Sequence, residues 1–320
     1  MTDNAVIDFR RLAKLITKIE NDRRGSEETL MELYKENSKT EIIGVTGPPG
    51  AGKSSLTDRI IKFYRELGKT VAVIAVDPSS PFTGGAILGD RIRMSDHATD
   101  SGVFIRSMGS RGSLGGLAPA TIDVINLMKS SGFDIVIVET VGVGQSEIDV
   151  MSIADTVLLV LVPGMGDDVQ ALKAGIMEIA DIFVINKADK DGKERLSAEL
   201  NMIISLNRHR LEWEPPIVET VATENRGTEE LIQKIAERNI WLQNKGISAK
   251  KDKIINQFKQ MALDRIGTNI LAILKEKGSF NKWSDDLMSG KTNPYLVMQE
   301  LDSMVSLKIN FNFNGREEGQ

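Results

Sequence analysis

Seven short apolar runs in the middle of the chain constrain its fold more than any other feature of the sequence. They are rich in Val and Ile, and segments with the apolar spacing of a helix separate them. Apolar strands that alternate with helices predict an α/β fold, in which a mostly parallel central sheet carries helices on both faces. In such a sheet, ligands bind beyond the carboxyl ends of the strands. The predicted strands are residues 42–46, 71–76, 103–107, 135–140, 157–162, 182–185 and 217–221, and the predicted helices among them include residues 54–67, 118–131, 169–180 and 228–244.

The first predicted strand leads into a glycine-rich turn, GVTGPPGAGKSS, which opens the next predicted helix. Gly47, four further residues and Gly52-Lys53-Ser54 match the P-loop pattern G-x-x-x-x-G-K-[ST] in the context that this pattern requires. A glycine-rich turn with a solvated lysine explains that context less well. In a P-loop, backbone N–H groups hold the phosphates, Lys53 reaches the β- and γ-phosphates, and the Ser54 hydroxyl binds Mg²⁺. The predicted nucleotide-binding residues of the loop are Gly50, Ala51, Gly52, Lys53, Ser54 and Ser55.

A second polar motif, Asn186-Lys187-Ala188-Asp189, directly follows the sixth predicted strand. A carboxylate at Asp189 can accept hydrogen bonds from N1–H and the exocyclic amine of guanine, whereas adenine offers neither donor, so the motif predicts selectivity for guanine. Lys187 would then lie along the base, and Asn186 would tie the strand end to the P-loop. Alone, the four residues also fit a polar turn between a strand and a helix. The last predicted strand adds Val221, Ala222 and Thr223, which we expect to supply a backbone donor to the guanine oxygen.

Acidic residues at strand ends predict a metal site beside the P-loop. Asp77 and Glu139 each follow an apolar strand, and Asp90 follows a loop rich in glycine and proline. We predict that these three carboxylates, with Ser54, organise Mg²⁺ and the attacking water, and that Lys53 completes the catalytic set. Two parts of this prediction stay open from the residues alone. Asp90 fits a helix cap equally well, and the loop at residues 163–170 fits either a capped turn or a mobile switch.

The ends of the chain carry helical patterns without strands, at residues 6–35, 250–277 and 294–305. We therefore predict a helical N-terminal extension (residues 1–40), a P-loop GTPase domain (residues 41–245) and a helical C-terminal extension (residues 246–320). The net charge of −5 argues against nucleic acid as a partner. Because no apolar run approaches the ~20 residues of a membrane span and no signal peptide is evident, we expect a cytoplasmic protein without a membrane partner.

With these segments assembled, the chain resembles the MeaB/ArgK family of chaperone GTPases, which accompany adenosylcobalamin-dependent acyl-CoA mutases, most often methylmalonyl-CoA mutase. The resemblance implies GTP/GDP and Mg²⁺ as ligands, a role for Asp90 in the metal cluster, and a switch function for the loop GMGDDVQALK. It also implies a homodimer built through the terminal helical extensions, and a cycle in which GTP binding and hydrolysis gate cofactor loading and protection of the mutase. The segments that carry the resemblance are GPPGAGKSS, VAVIAVDPSSPFTGGAILGDRIRM, VFIRSM, RGSLGGLA, ETVGVGQSE and GDDVQALKAGIMEIADIFVINKAD.

The main alternative is a kinase or ATPase linked to amino-acid transport, an older label attached to the same family. It requires adenine selectivity and a phosphoryl acceptor site, and the motif at Asn186 argues against it. A nucleotide-binding scaffold without turnover is a further alternative, which the carboxylates Asp77 and Glu139 disfavour. The chain departs from the family at Gly109-Ser110 and after about Gly278, and these differences concern the partner and the dimer more than the nucleotide chemistry.

Overall fold

The computed structural model of the protein describes residues 7–21, 24–33, 39–77, 97, 99–109, 119–140, 153–164, 180–245 and 247–313. Asp90, the loop at residues 165–170 and all of the predicted helix at 169–180 except Ala180 lie outside the described residues. The chain divides into two compact units, residues 1–254 and residues 255–320, and each is considered by itself below.

The first unit contains a seven-stranded sheet in which every neighbouring pair of strands is parallel, in the order β3-β2-β4-β1-β5-β6-β7. This architecture confirms the predicted fold class, and the strand ends differ from prediction by no more than two residues. The switch in strand order on either side of β1 creates the crevice where ligands bind in such sheets. The strands are β1 (Glu41–Thr46), β2 (Val71–Asp77), β3 (Val103–Gly109), β4 (Ile135–Thr140), β5 (Thr156–Leu161), β6 (Ile182–Asn186) and β7 (Ile217–Thr220).

Helices cover both faces of this sheet. Neighbouring residues of a strand point to opposite faces, and because the strands are apolar along their length, both faces are apolar and need to be covered. On β2, Ala72, Ile74 and Val76 pack with α1 and α4, whereas Val71 and Val73 pack on the other face with α3 and α6. A smaller apolar cluster joins β5 and β6 to α5. The helices of this unit are α1 (Phe9–Asn21), α2 (Glu27–Leu33), α3 (Lys53–Glu66), α4 (Pro119–Ser130), α5 (Lys193–Asn207) and α6 (Thr228–Lys245), and α7 (Ile247–Glu276) begins in it.

Apart from two short connections, at residues 277–278 and 289–293, the second unit is helical in its described residues, in agreement with the predicted helical pattern of this region. After the end of α7 it contains α8 (Ser279–Met288) and α9 (Pro294–Phe313), of which α9 is longer than predicted. Trp283 of α8 is buried, and its Nε1–H donates to Glu300 Oε2 of α9 over 2.9 Å. None of the helices in the described part of the chain is long and apolar enough to cross a membrane.

Candidate nucleotide site

The P-loop connects β1 to α3 and lies tightly against the neighbouring strands. Gly47 has φ +139°, and a Cβ at this position would stand 2.1 Å from the carbonyl oxygen of Val160 on β5. Gly52 has φ +88°, and a Cβ there would stand 2.4 Å from Asn186 Nδ2 at the end of β6. Both glycines are required by conformation and by space, so the motif glycines are also what lets the loop approach β5 and β6.

Lys53 begins α3 and turns its side chain back into the loop. Its Nζ donates to the carbonyl oxygen of Gly47 over 2.6 Å and to that of Pro48 over 3.0 Å, and the residue is only 7% exposed. A buried ammonium group is costly unless its protons are hydrogen-bonded. The loop therefore supplies acceptors that hold this positive charge at the place where a P-loop binds phosphates.

Glu139 at the end of β4 forms the centre of a buried hydrogen-bonded group. It is 4% exposed and accepts hydrogen bonds from Ser54 Oγ over 2.6 Å and from Thr57 Oγ1 over 2.9 Å. The structure thus brings together two residues predicted for the metal site, Ser54 and Glu139, and adds Thr57, which the sequence analysis did not select. Hydroxyl and carboxylate oxygens are the ligand types that Mg²⁺ prefers, so this pair fits the cation.

The other two predicted carboxylates are described only in part or not at all. Asp77 is the last residue of β2, and the pairing of Val76 with Thr140 places its backbone at the same carboxyl edge as Glu139. The side chain of Asp77 and the whole of Asp90 lie outside the described residues. The full set of metal ligands therefore stays a prediction.

Asn186 links the P-loop to the last strand of the sheet. Its side chain is buried, and Nδ2–H donates to the carbonyl oxygen of Ala51 over 2.8 Å. Its Oδ1 accepts from Thr220 Oγ1 and from the backbone N–H of Ala222, each over 3.2 Å. One amide therefore joins the P-loop to β7 and to the turn that follows β7, both of which are distant from the loop in sequence.

The next residues of the motif lie over the P-loop and beyond it. Lys187 has φ +55°, and its Nζ donates to the carbonyl oxygen of Gly50 over 2.8 Å. Ala188 N–H donates to the carbonyl oxygen of Thr220, which holds the motif beside the end of β7. Asp189 is exposed, as a side chain that receives a ligand would be.

The segment Val221–Thr223 lies just past the last strand, because β7 ends at Thr220, one residue earlier than predicted. Val221 and Arg226 bond to each other through their backbones, and a short 3₁₀ turn at Ala222–Glu224 closes the loop between them. Arg59 of α3 donates from Nε to the carbonyl oxygen of Ala222 over 2.8 Å and from Nη2 to that of Thr223 over 3.2 Å.

Three residues of this site were not predicted from the sequence: Thr57, Arg59 and Thr220. Thr57 carried a usable signal, since it lies three residues after Ser54 and therefore on the same side of α3. Arg59 carried none, because the carbonyl groups that it contacts are more than 160 residues away in the chain. Thr220 is one of several polar residues at strand ends, and nothing local marks it as a partner of Asn186.

A separate group of charges lies at the amino end of the sheet, away from the P-loop. Burial, with a further contribution from the charge of Asp155, raises the pKa of Glu41 to about 7. Asp155 itself accepts from the backbone N–H of Ile42 over 2.9 Å, and Arg238 pairs with Asp181 over 2.7 Å. These side chains lie at the amino ends of β1, β5 and β6 and contact α6, so they belong to the packing of the sheet and not to the nucleotide chemistry.

The carboxyl edge of the sheet, by contrast, gathers several polar groups around one glycine-rich loop. They are the ammonium of Lys53, the hydroxyl–carboxylate pair of Ser54 and Glu139, and the amide of Asn186. Phosphoryl transfer depends mainly on positioning and on charge stabilisation, which such groups provide. The arrangement is that of a P-loop nucleotide hydrolase.

Comparison with known proteins agrees with this geometry. A putative GTPase of Pyrococcus abyssi is 50% identical over 303 residues, which cover 92% of this chain and 93% of that protein. GTPase ArgK of Escherichia coli is 45% identical over 193 residues, covering 59% of this chain and 58% of that protein. The crystal structure of an LAO/AO transport system kinase superposes with a TM-score of 0.66 at 26% identity, covering 96% of this chain and 99% of the other.

A profile of one protein family, described as methylmalonyl-CoA mutase-associated GTPase MeaB, matches residues 12–275. This match runs through the whole sheet, the P-loop and the motif at Asn186. The chain therefore belongs to the MeaB family and is a P-loop GTPase that hydrolyses GTP.

Proposed function

We propose that this GTPase serves as a chaperone that gates adenosylcobalamin loading and protection of an acyl-CoA mutase, with methylmalonyl-CoA mutase as the first candidate. The observation that carries the proposal is the family match over residues 12–275, whose description names that mutase. A GTPase can act on a partner in this way if its two nucleotide states contact the partner differently. The net charge of −5 argues against nucleic acid as the partner. We propose that the complex acts in the cytoplasm.

In the proposed site, Lys53 holds the terminal phosphates, and Gly50, Ala51, Gly52 and Ser55 line the same loop. The 2.6 Å contact between Ser54 and Glu139 supports a shared role at Mg²⁺, with Asp77 and Asp90 as the further carboxylates. Mg²⁺ would supply charge neutralisation at the phosphates. The protein's own contribution is to hold the Ser54 hydroxyl, the Glu139 carboxylate and the Lys53 ammonium in a buried, hydrogen-bonded arrangement beside the loop.

The base is recognised, in this proposal, by Asp189 through the edge of guanine and by the backbone of Val221, Ala222 and Thr223 through the guanine oxygen. The contacts of Asn186 and Lys187 with the P-loop support it, because they hold the base-binding motif and the phosphate-binding loop together. Opposite adenine, the carboxylate of Asp189 would find no hydrogen-bond donor, and this loss would favour guanine over adenine.

We also propose that the chain is a homodimer joined through its terminal helical extensions, residues 1–40 and 246–320. The second unit supports this, since several of its large apolar side chains are exposed within the described residues, an arrangement that soluble proteins usually cover. Sedimentation equilibrium would test the proposal against the chain mass of 35.2 kDa. The most exposed of these side chains are Phe258, Leu263, Met288 and Tyr295.

The decisive experiment measures GTP turnover with and without candidate acyl-CoA mutases, each in its apo and cofactor-loaded form. We expect slow turnover by the protein alone and faster turnover with the mutase that it serves. Lys53→Ala should remove turnover in both conditions, while Lys234→Ala, which removes a lysine of α6 paired only with its helix neighbour Glu237 in the described structure, should not. If no mutase stimulates turnover or co-elutes with the protein, the chaperone proposal is wrong.

The alternative function is that of a kinase or ATPase linked to amino-acid transport. The name of the structurally similar LAO/AO transport system kinase favours it. Competition between GTP and ATP separates the two proposals. The kinase or ATPase function requires ATP to bind at least as tightly as GTP, whereas the chaperone function requires GTP to bind more tightly than ATP.

A further inference from the structure

Arg59 lies on the P-loop helix α3, yet its guanidinium group reaches the turn after the last strand of the sheet. It donates from Nε to the carbonyl oxygen of Ala222 over 2.8 Å and from Nη2 to the carbonyl oxygen of Thr223 over 3.2 Å. Two adjacent carbonyl groups are thus held by one planar side chain. Arginine suits this geometry because its donors are fixed in a fork.

The usual role of an arginine on a helix surface is an ion pair with a nearby carboxylate, and the described residues show no such pair for Arg59. The neighbouring charged residues of α3 do form such pairs, Lys62 with Asp58 and Arg65 with Asp100. The two carbonyl contacts therefore account for the position of the Arg59 guanidinium group in the described structure.

Arg59 and Asn186 hold the same turn from two sides. Asn186 accepts a hydrogen bond from the N–H of Ala222 and donates to the P-loop residue Ala51, whereas Arg59 donates to the carbonyl groups of Ala222 and Thr223. Because α3 follows the P-loop directly, these contacts close a ring that runs from the P-loop through Asn186 to the turn and back through Arg59 to α3.

We infer that Arg59 is a positioning residue for guanine: it holds the backbone of Val221–Thr223 in the orientation that recognises the base, and it couples this orientation to the phosphate-binding helix. The inference rests on the proposed role of Val221–Thr223 in binding the guanine oxygen. A peptide unit that has its carbonyl oxygen bound by Arg59 has its N–H direction restricted as well, since the peptide is planar.

Removal of Arg59 frees the turn to adopt other conformations, and the affinity for the base falls in proportion to the fraction of molecules that remain competent. The turn keeps its own backbone hydrogen bonds, between Val221 and Arg226 and within the 3₁₀ turn, so we expect its orientation to be lost in part and not completely. The phosphate contacts remain, since Lys53 and its acceptors in the loop do not involve Arg59.

The test is a set of dissociation constants for GDP and ADP, measured on the full chain with Mg²⁺, for the wild type and for Arg59→Ala, Arg59→Gln and Arg59→Lys. We expect Arg59→Ala to bind GDP about tenfold more weakly, which corresponds to about 1.4 kcal/mol, and to bind ADP within twofold of the wild type. The lysine and glutamine variants keep one or more hydrogen-bond donors, so their loss of GDP affinity should lie between those of the wild type and Arg59→Ala. In steady-state turnover, KM for GTP should rise while kcat stays within twofold.

Arg195→Ala is the matched control, because it removes an arginine of α5 that is highly exposed and pairs with Glu199 one turn away. It should leave both dissociation constants unchanged. If circular dichroism shows that Arg59→Ala does not fold, the glutamine and lysine variants decide the question, through the change in their GDP dissociation constant relative to that in their ADP dissociation constant.

The outcomes distinguish this inference from the proposed function. If the wild type binds ADP as tightly as GDP, the proposed guanine recognition is wrong. If the wild type prefers GDP and the Arg59 variants keep its GDP affinity, or lose GDP and ADP affinity equally, guanine recognition stands and the positioning role of Arg59 is overturned.

Discussion

We predict that the carboxyl group of Glu41, a half-buried residue at the start of β1, makes the stability of the first unit depend on pH. Burial and the nearby charge of Asp155 raise its pKa from 4.5 to about 7, and one of its oxygens, Oε1, has no hydrogen-bond partner within the described structure. A carboxyl group with a raised pKa in the folded state stabilises the fold while it is protonated. Its contribution is complete below pH 4.5 and is lost as the pH rises through 7.

The size of the effect follows from the two pKa values. A difference of about 2.5 between the folded and the unfolded state corresponds to about 3 kcal/mol, at 1.36 kcal/mol for each pKa unit. Glu41→Gln keeps nearly the same shape and stays neutral at every pH. The variant should therefore match the wild type near pH 4.5 and exceed its free energy of unfolding by up to about 3 kcal/mol at pH 8.

The measurement is urea unfolding of both proteins from pH 4.5 to pH 8, followed by tryptophan fluorescence. Trp213 and Trp241 report on the unit that contains Glu41, because both rings lie against Arg238 of α6. Glu66→Gln, which removes an exposed carboxylate at the end of α3, serves as the matched control. A stability difference between Glu41→Gln and the wild type that does not change with pH, or a variant that is less stable at pH 8, would refute the reasoning.

Two further substitutions test the nucleotide site. Gly52→Ala should lower nucleotide affinity and thermal stability, because the added Cβ would stand 2.4 Å from Asn186 Nδ2 and the φ of this residue is +88°. Gly68→Ala is the control, since Gly68 has a φ of +72° but no atom within 4 Å of the added Cβ, so this variant measures the cost of the backbone conformation alone. Thr57→Val should lower the free energy of unfolding by ~1–3 kcal/mol and raise the Mg²⁺ requirement for turnover, because Glu139 loses a buried donor. Thr57→Ser keeps the hydroxyl group and should stay close to the wild type in urea unfolding and in Mg²⁺ titrations of turnover; equal behaviour of the valine variant would contradict this role.

Most of the fold was predictable because parallel strands buried on both faces leave a clear apolar pattern. The helix α5 was not among the predicted helices, although Leu196, Leu200 and Ile204 recur at helical spacing and pack against the sheet. The end of α9 was also missed: its residues 306–313 have mixed polarity, so local spacing marks no boundary there.

The candidate site was predictable only as far as each motif carries its own signal. The P-loop and the motif at Asn186 are local patterns, and the rule that ligands bind at the carboxyl ends of parallel strands places both at one edge. The partners of Glu139 were only half predicted, because Thr57 lies outside both motifs. Local spacing shows which residues share a helix face, but it does not show which strand end that face meets.

By itself, the sequence determined the α/β class and the phosphate-binding loop, and it predicted the choice of guanine, because backbone conformation and base chemistry require particular residue types at short spacing. Only the tertiary structure decided which distant groups meet: Asn186 with Ala51, Thr57 with Glu139, and Arg59 with Ala222. The physical reason is that these contacts depend on strand order and on the approach of α3 to the turn after β7, and neither leaves a periodic pattern in the chain.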